Sequence, residues 1–205
     1  MNLSTFDIIF CDLDGTLLED KKRHYECYKD IIIQYGGNPI SKDEYWNGKR
    51  HKIRCDDLLK KSEFKESMEL YRREWIQRIE QEKYLSFQIL KPRISKVINF
   101  FKKNVKQVNL ITMRKNKKNL IDQLTKFGII ESFDSIYIGT AESDNKKSDL
   151  IDGYYGKKTL TIGDSEDDME LAMKIGSSFL AVTNGIRIQE YLNADYYCKE
   201  LEDLL

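Results

Sequence analysis

Two rhythms of apolar and polar positions divide this chain. From about residue 92 onward, short apolar runs alternate with amphipathic stretches. Runs at 108–111, 135–138, 159–162 and 179–182 read as strands, while 93–103, 117–127 and 166–175 carry apolar residues at helical spacing. Gly128 and Gly176 close two of those helices, and a brief helix is expected near Leu150. One further apolar run, residues 6–11, stands alone near the N-terminus. Between about 18 and 87 no strand pattern occurs. There Tyr25, Tyr28, Ile31, Ile32 and Tyr35 recur at helical spacing up to Gly36-Gly37. Phe64, Met68, Tyr71, Trp75 and Ile79 then share one face of a long helix.

Strands alternating with helices predict the α/β class: a parallel sheet covered on both faces, in a three-layer, Rossmann-like core. The all-helical block is then an insertion after the first strand. The core comprises residues 1–18 and 88–205, and the insertion residues 19–87.

Composition narrows the function classes. The chain is 40% hydrophobic and 33% charged, which allows a real core. Lys+Arg and Asp+Glu stand at 34 each, so no whole-chain field draws it to nucleic acid or an anionic membrane. The four cysteines have no zinc or redox spacing. No basic stretch precedes a long apolar one, and the first apolar run carries Asp7, so a soluble, cytoplasmic protein is expected.

Four local signals carry chemistry. Asp12 and Asp14 occupy alternate positions after the first strand, with Gly15 turning the chain, at the strand end where open α/β sheets bind ligands. An Asx-type turn would look the same. Thr112 stands where the next strand ends, ready to hold an anion with its hydroxyl and the following N–H groups, or simply to cap a helix. In Asn145-Lys146-Lys147-Ser148 a lysine could neutralise a phosphate and a carboxylate together. Lys147 is favoured, because Leu150 and Ile151 supply the apolar side of the helix after it, and Lys146 is the alternative. Gly163-Asp164-Ser165-Glu166-Asp167-Asp168 contains a capping box, Ser165 with Asp168, that leaves Asp164 unexplained. If the first and fourth core strands are neighbours, Asp12, Asp14 and Asp164 converge with Asp168 just behind. Like charges that close resist ionisation unless a hard cation joins them, and an oxygen-only donor set suits Mg²⁺. Acids, cation, hydroxyl and lysine together make a site for phosphoryl transfer.

In that order, Asp12-Leu13-Asp14-Gly15-Thr16, Thr112, Lys147 and Gly163-Asp164 with Asp168 resemble the four motifs of the haloacid dehalogenase-like superfamily. The insertion is similar to the helical cap of its phosphoglycolate phosphatase-like and β-phosphoglucomutase-like members. The resemblance implies that Asp12 is the nucleophile and Asp14 the general acid and base. It implies that Asp12, the backbone carbonyl of Asp14, and Asp164 hold Mg²⁺. Thr112 and Lys147 would bind the transferring phosphoryl group, and Asp168 would orient a water or Lys147. The chain departs from the related pattern in one place: Ser148, not proline, follows the lysine, and the interval to Asp164 is short.

The expected activity is Mg²⁺-dependent hydrolysis of a small phosphorylated metabolite by a monomer or homodimer. Within the insertion, Arg50 and Arg54, beside Trp46 and His51, could grip a second anionic group, or form only a solvated basic turn. A sugar-phosphate mutase is the alternative enzyme. A phospho-accepting signalling module is the non-enzymatic one, opposed by the chain's length, its insertion and Asp14.

Overall fold

The computed structural model describes residues 1–139, 146–154 and 158–205. Asn145 lies outside them. In chain order the elements are β1 (Ile8–Cys11), β2 (Leu18–Glu19), α1 (Lys21–Gln34), α2 (Lys42–Arg50), α3 (Cys55–Lys61), α4 (Met68–Arg78) and α5 (Glu82–Leu85). They continue with β3 (Ile89–Leu90), α6 (Ile94–Asn104), β4 (Gln107–Met113), α7 (Lys117–Lys126), β5 (Ser135–Gly139), β6 (Thr159–Gly163), α8 (Glu166–Ile175), β7 (Ser178–Val182) and β8 (Tyr196–Cys198). The chain divides into two compact units, Met1–Leu18 with Leu90–Leu205, and Glu19–Ile89. β2 and β3, where the chain leaves and re-enters the first unit, pair with each other.

In the first unit six parallel strands run in the order β5-β4-β1-β6-β7-β8. β1 is buried throughout, as an apolar run without alternation requires of a strand covered on both faces. Its register sets Cys11 beside Leu110 of β4 and Ile162 of β6. The pleat sends Ile9 and Cys11 into a core shared with Ile98 and Phe101 of α6 and Leu120 and Leu124 of α7. Ile8 and Phe10 face the other way, toward Ile111, Leu171 and Ile175. Along α6, Ile94, Val97, Ile98 and Phe101 are buried, a spacing that lays one stripe on the sheet. Each such side chain contributes about 1.5–3 kcal/mol.

α8 starts with the predicted capping box, Ser165 with Asp168, and stops at Gly176, whose φ of 67° suits glycine. Three expectations shift. Phe64 through Ile79 do not form one long helix. Ser67 caps α4 by accepting from the Leu70 N–H (3.2 Å), and Phe64 packs from the preceding turn, where Glu63 has a φ of 55°. β4 runs two residues further than its apolar run, so Thr112 sits inside it, opposite Ile138 of β5. The edge strand β8 has no apolar signature in the sequence. Its three residues are half-buried or exposed and form no apolar run.

The second unit packs α1 to α5 around its own aromatic core, in which Tyr28 and Tyr45 stack at 4.2 Å between ring centres. Among the described residues no helix is long and apolar enough to cross a membrane.

Candidate active site

Pairing of β1 with β6 brings the first and fourth signals to one sheet edge. Asp12 follows β1, and its N–H donates to the Ile162 carbonyl at 2.9 Å. Asp164 follows β6 directly. Carboxylate oxygens of Asp12, Asp164 and Asp168 all lie within 4.8 Å of one another, and all three residues are buried. Lys147 stands among them, its Nζ 2.6 Å from Asp12 Oδ1 and 2.6 Å from Asp168 Oδ1. The other oxygen of Asp168 accepts from the Asp164 N–H (3.2 Å), the Ser165 N–H (3.1 Å) and the Ser165 hydroxyl (2.6 Å). The capping carboxylate of α8 is therefore also the group that fixes Lys147.

Glycines shape the space around Asp164. Gly15 turns after Asp14 with a φ of 84°, and its N–H closes onto the Leu18 carbonyl at 3.0 Å. A Cβ at Gly15 or at Gly185 would overlap the Asp164 carboxylate, and one at Gly163 would overlap Asp168. The Ile186 N–H donates to Asp164 Oδ2.

Burial pushes the Asp12 carboxyl well above its ordinary pKa, Lys147 pulls it back, and Asp168, Asp164 and Asp14 raise it again. Burial also works against the Lys147 ammonium, but Asp12 and Asp168 outweigh it and hold its pKa above the usual lysine range. Lys147 contacts two of the three buried carboxylates, Asp12 and Asp168, and carboxylates this close resist ionising together. The oxygen-only donors, their crowding and the side-chain-free wall beside Asp164 fit a hard divalent cation.

The structure separates the two lysines. Lys147 is buried in the cluster, whereas Lys146 is exposed and pairs with Glu170 at 2.6 Å. Thr112 is buried in β4. The Asp14 carboxylate is not part of the three-carboxylate group. It is gripped instead by Arg114, through Nε and Nη2 to its two oxygens. Arg54 is 74% exposed at its side chain and pairs with Asp57 at 3.0 Å. Arg50 is half-buried at the end of α2.

Two residues near these acids carried no expectation. Lys91 donates to the Gly15 carbonyl at 2.6 Å, pinning the turn after Asp14, and pairs with Glu200 at 3.1 Å. Nothing in its sequence surroundings marks it. Arg114 had a signal: it lies two positions beyond Thr112, and alternate positions of an extended chain face the same way.

Fold and acid cluster define an acidic site at the C-terminal ends of the inner strands of a parallel α/β sheet. The chain belongs to the haloacid dehalogenase-like hydrolase family, whose model matches residues 8–182. No curated protein matches the chain. Among solved structures, it is similar to a haloacid dehalogenase-like hydrolase from Streptococcus pneumoniae, with 20% identity, a TM-score of 0.70, and 98% of this chain and 97% of that one covered. A predicted phosphoglycolate phosphatase from Haemophilus somnus matches at 17% identity and a TM-score of 0.70, over 98% and 96% of the two chains. A candidate β-phosphoglucomutase from Thermotoga maritima matches at 17% identity and a TM-score of 0.63, over 98% and 97%. At these identities the likeness establishes the fold.

Proposed function

We propose that this chain is a Mg²⁺-dependent phosphatase that hydrolyses the phosphomonoester of a small metabolite through an aspartyl-phosphate. The observation that carries this reading is Lys147 bridging Asp12 and Asp168, with Asp164 in the same buried cluster.

Asp12 is the nucleophile. Its Oδ1 is held by Lys147, and its other oxygen attacks phosphorus as the bond to the leaving oxygen breaks. The electron pair departs with that oxygen, and Asp14 supplies the proton. In the second half Asp14 takes a proton from water, whose oxygen attacks the same phosphorus and releases inorganic phosphate and the Asp12 carboxylate. Thr112 and Lys147 bind the phosphoryl oxygens, and the lysine also steadies Asp12, opposing the rise in pKa that burial causes. Asp12, the Asp14 backbone carbonyl and Asp164 would hold Mg²⁺, which supplies charge neutralisation at the phosphoryl group. Asp168 orients Lys147.

Selectivity belongs to the second unit, where Arg50 and Arg54 are the proposed contacts to a second anionic group. A phosphorylated metabolite rather than nucleic acid or membrane is the fitting partner for a chain of zero formal net charge.

The test is a screen of phosphorylated sugars, nucleotides and small acids for phosphate release, with Mg²⁺ and with a chelator. Steady, Mg²⁺-dependent release from one class supports the reading. The likeness to the Thermotoga maritima protein makes a mutase the second reading. Dependence on a bisphosphate primer with little phosphate released would favour it. An aspartyl-phosphate that persists for minutes without turnover would count against both.

A further inference from the structure

Arg114 is the largest of the fully buried side chains among the described residues, 1% exposed, and the reaction proposed above gives it no task. Removing a guanidinium from water is costly unless it is well paired. The pairing here is specific. Nε and Nη2 each donate to a different oxygen of the Asp14 carboxylate, a fork that fixes the plane and direction of the acceptor as well as its charge. The backbone behind the fork is fixed too. The Arg114 N–H donates to the Gly139 carbonyl at 2.8 Å, carrying the β4–β5 ladder one residue beyond Met113.

Asp14 has reason to need such a partner. It stands next to the positive-φ turn at Gly15, and its side chain is 21% exposed. A carboxylate there has two free torsions and water to solvate it. Proton transfer requires the carboxyl oxygen within hydrogen-bond reach of the leaving oxygen, so an undirected Asp14 is a poor acid wherever its pKa lies.

We propose that Arg114 is a positioning residue for proton transfer, aiming Asp14 at the leaving oxygen. The inference rests on the phosphatase reading and adds to it a residue that acts through Asp14. The competing role for a buried arginine beside Thr112 is direct binding of the phosphoryl group, and leaving-group dependence separates the two. A dinitrophenolate leaves without a proton, whereas phenolate needs one.

The experiment compares kcat/KM for 2,4-dinitrophenyl phosphate and phenyl phosphate in the wild type, Arg114→Gln, Arg114→Lys and Asp14→Asn. Expected for Arg114→Gln is a loss of about 100-fold on phenyl phosphate, the scale of general acid catalysis, with the dinitrophenyl ester within about threefold of wild type. Arg114→Lys keeps the charge but not the fork, so it should show the same split and recover little. That variant carries the test if Arg114→Gln fails to fold. Asp14→Asn also loses the base of the second half, so its kcat should fall on both esters while its kcat/KM shows the larger loss on phenyl phosphate, and the double variant Asp14→Asn/Arg114→Gln should be no worse than Asp14→Asn alone, because the two residues act as one unit. Equal losses on both esters would assign Arg114 to phosphoryl binding and overturn the inference, as would an unchanged phenyl phosphate rate. A wild-type chain that turns over neither ester overturns the phosphatase reading and this inference with it.

Discussion

Gly185 gives its empty side-chain space to Asp164. A Cβ at position 185 would overlap the Asp164 carboxylate, and the next N–H along the chain, that of Ile186, donates to Asp164 Oδ2. One loop therefore both makes room for this carboxylate and aims it. Gly185→Ala should displace Asp164 and raise the Mg²⁺ concentration for half-maximal phosphate release by about 10–100-fold, the usual cost of disturbing a ligand's support. A Mg²⁺ titration of wild type and variant checks this, with Asp164→Asn as reference. An unchanged half-saturation point would mean that Asp164 tolerates the methyl group or holds no metal.

Asp12→Asn should abolish phosphate release while leaving the melting temperature close to wild type. The substitution deletes the nucleophile, yet it also removes one of three crowded carboxylates, and Lys147 keeps Asp168 as partner. Turnover by this variant at more than about a thousandth of the wild-type rate would exclude Asp12 as nucleophile.

Lys147→Met should be costly in both respects. Two buried carboxylates lose their shared counter-charge, and breaking a buried pair costs about 3 kcal/mol or more. For a chain of this size that is roughly 6–12 °C in Tm. Added Mg²⁺ should recover part of the stability, because a dication can replace some of the missing charge. Lys146→Met, on the exposed pair with Glu170, should do almost nothing. Calorimetry on the two variants decides between them, and equal effects would contradict the buried arrangement.

Stability should fall on mild acidification through His24. Burial lowers the His24 pKa below its ordinary value, although Asp20 works the other way. Its ring lies edge-on to Trp46 and Trp75, at 5.8 and 5.3 Å between centres. The unfolded chain therefore takes up the proton first. This contribution to stability is complete above about pH 6.5 and is lost as pH falls toward the lower, folded-state pKa. Melting curves from pH 7.5 to 5 should drop more steeply for wild type than for His24→Gln. Parallel curves would show that His24 is not the group responsible.

Much of the core was legible in the sequence because most of its strands are continuous apolar runs and two of its helices, α7 and α8, end on glycine. β6 and α8 follow from Thr159 to Gly176 almost residue by residue, since strand, capping box and αL glycine are all local signals. Thr112 reads as just past the apolar run and lies instead within the last two residues of β4, which the ladder to β5 extends beyond that run. The local pattern of Leu150 and Ile151 favours Lys147 over Lys146, but the physical basis of that choice is not local. It depends on which ammonium meets Asp12, 135 residues away. For Arg114 the alternation with Thr112 was a local signal, but its partner Asp14 lies 100 residues earlier.

The strand order has a consequence for how the protein is made. β1 emerges first but occupies an inner position between β4 and β6, so the segment bearing Asp12 waits for chain synthesised much later. Closing such long loops is entropically slow. Until Gly163 has left the ribosome tunnel, the nascent polypeptide presents an unpaired, wholly apolar ribbon on one side of β1.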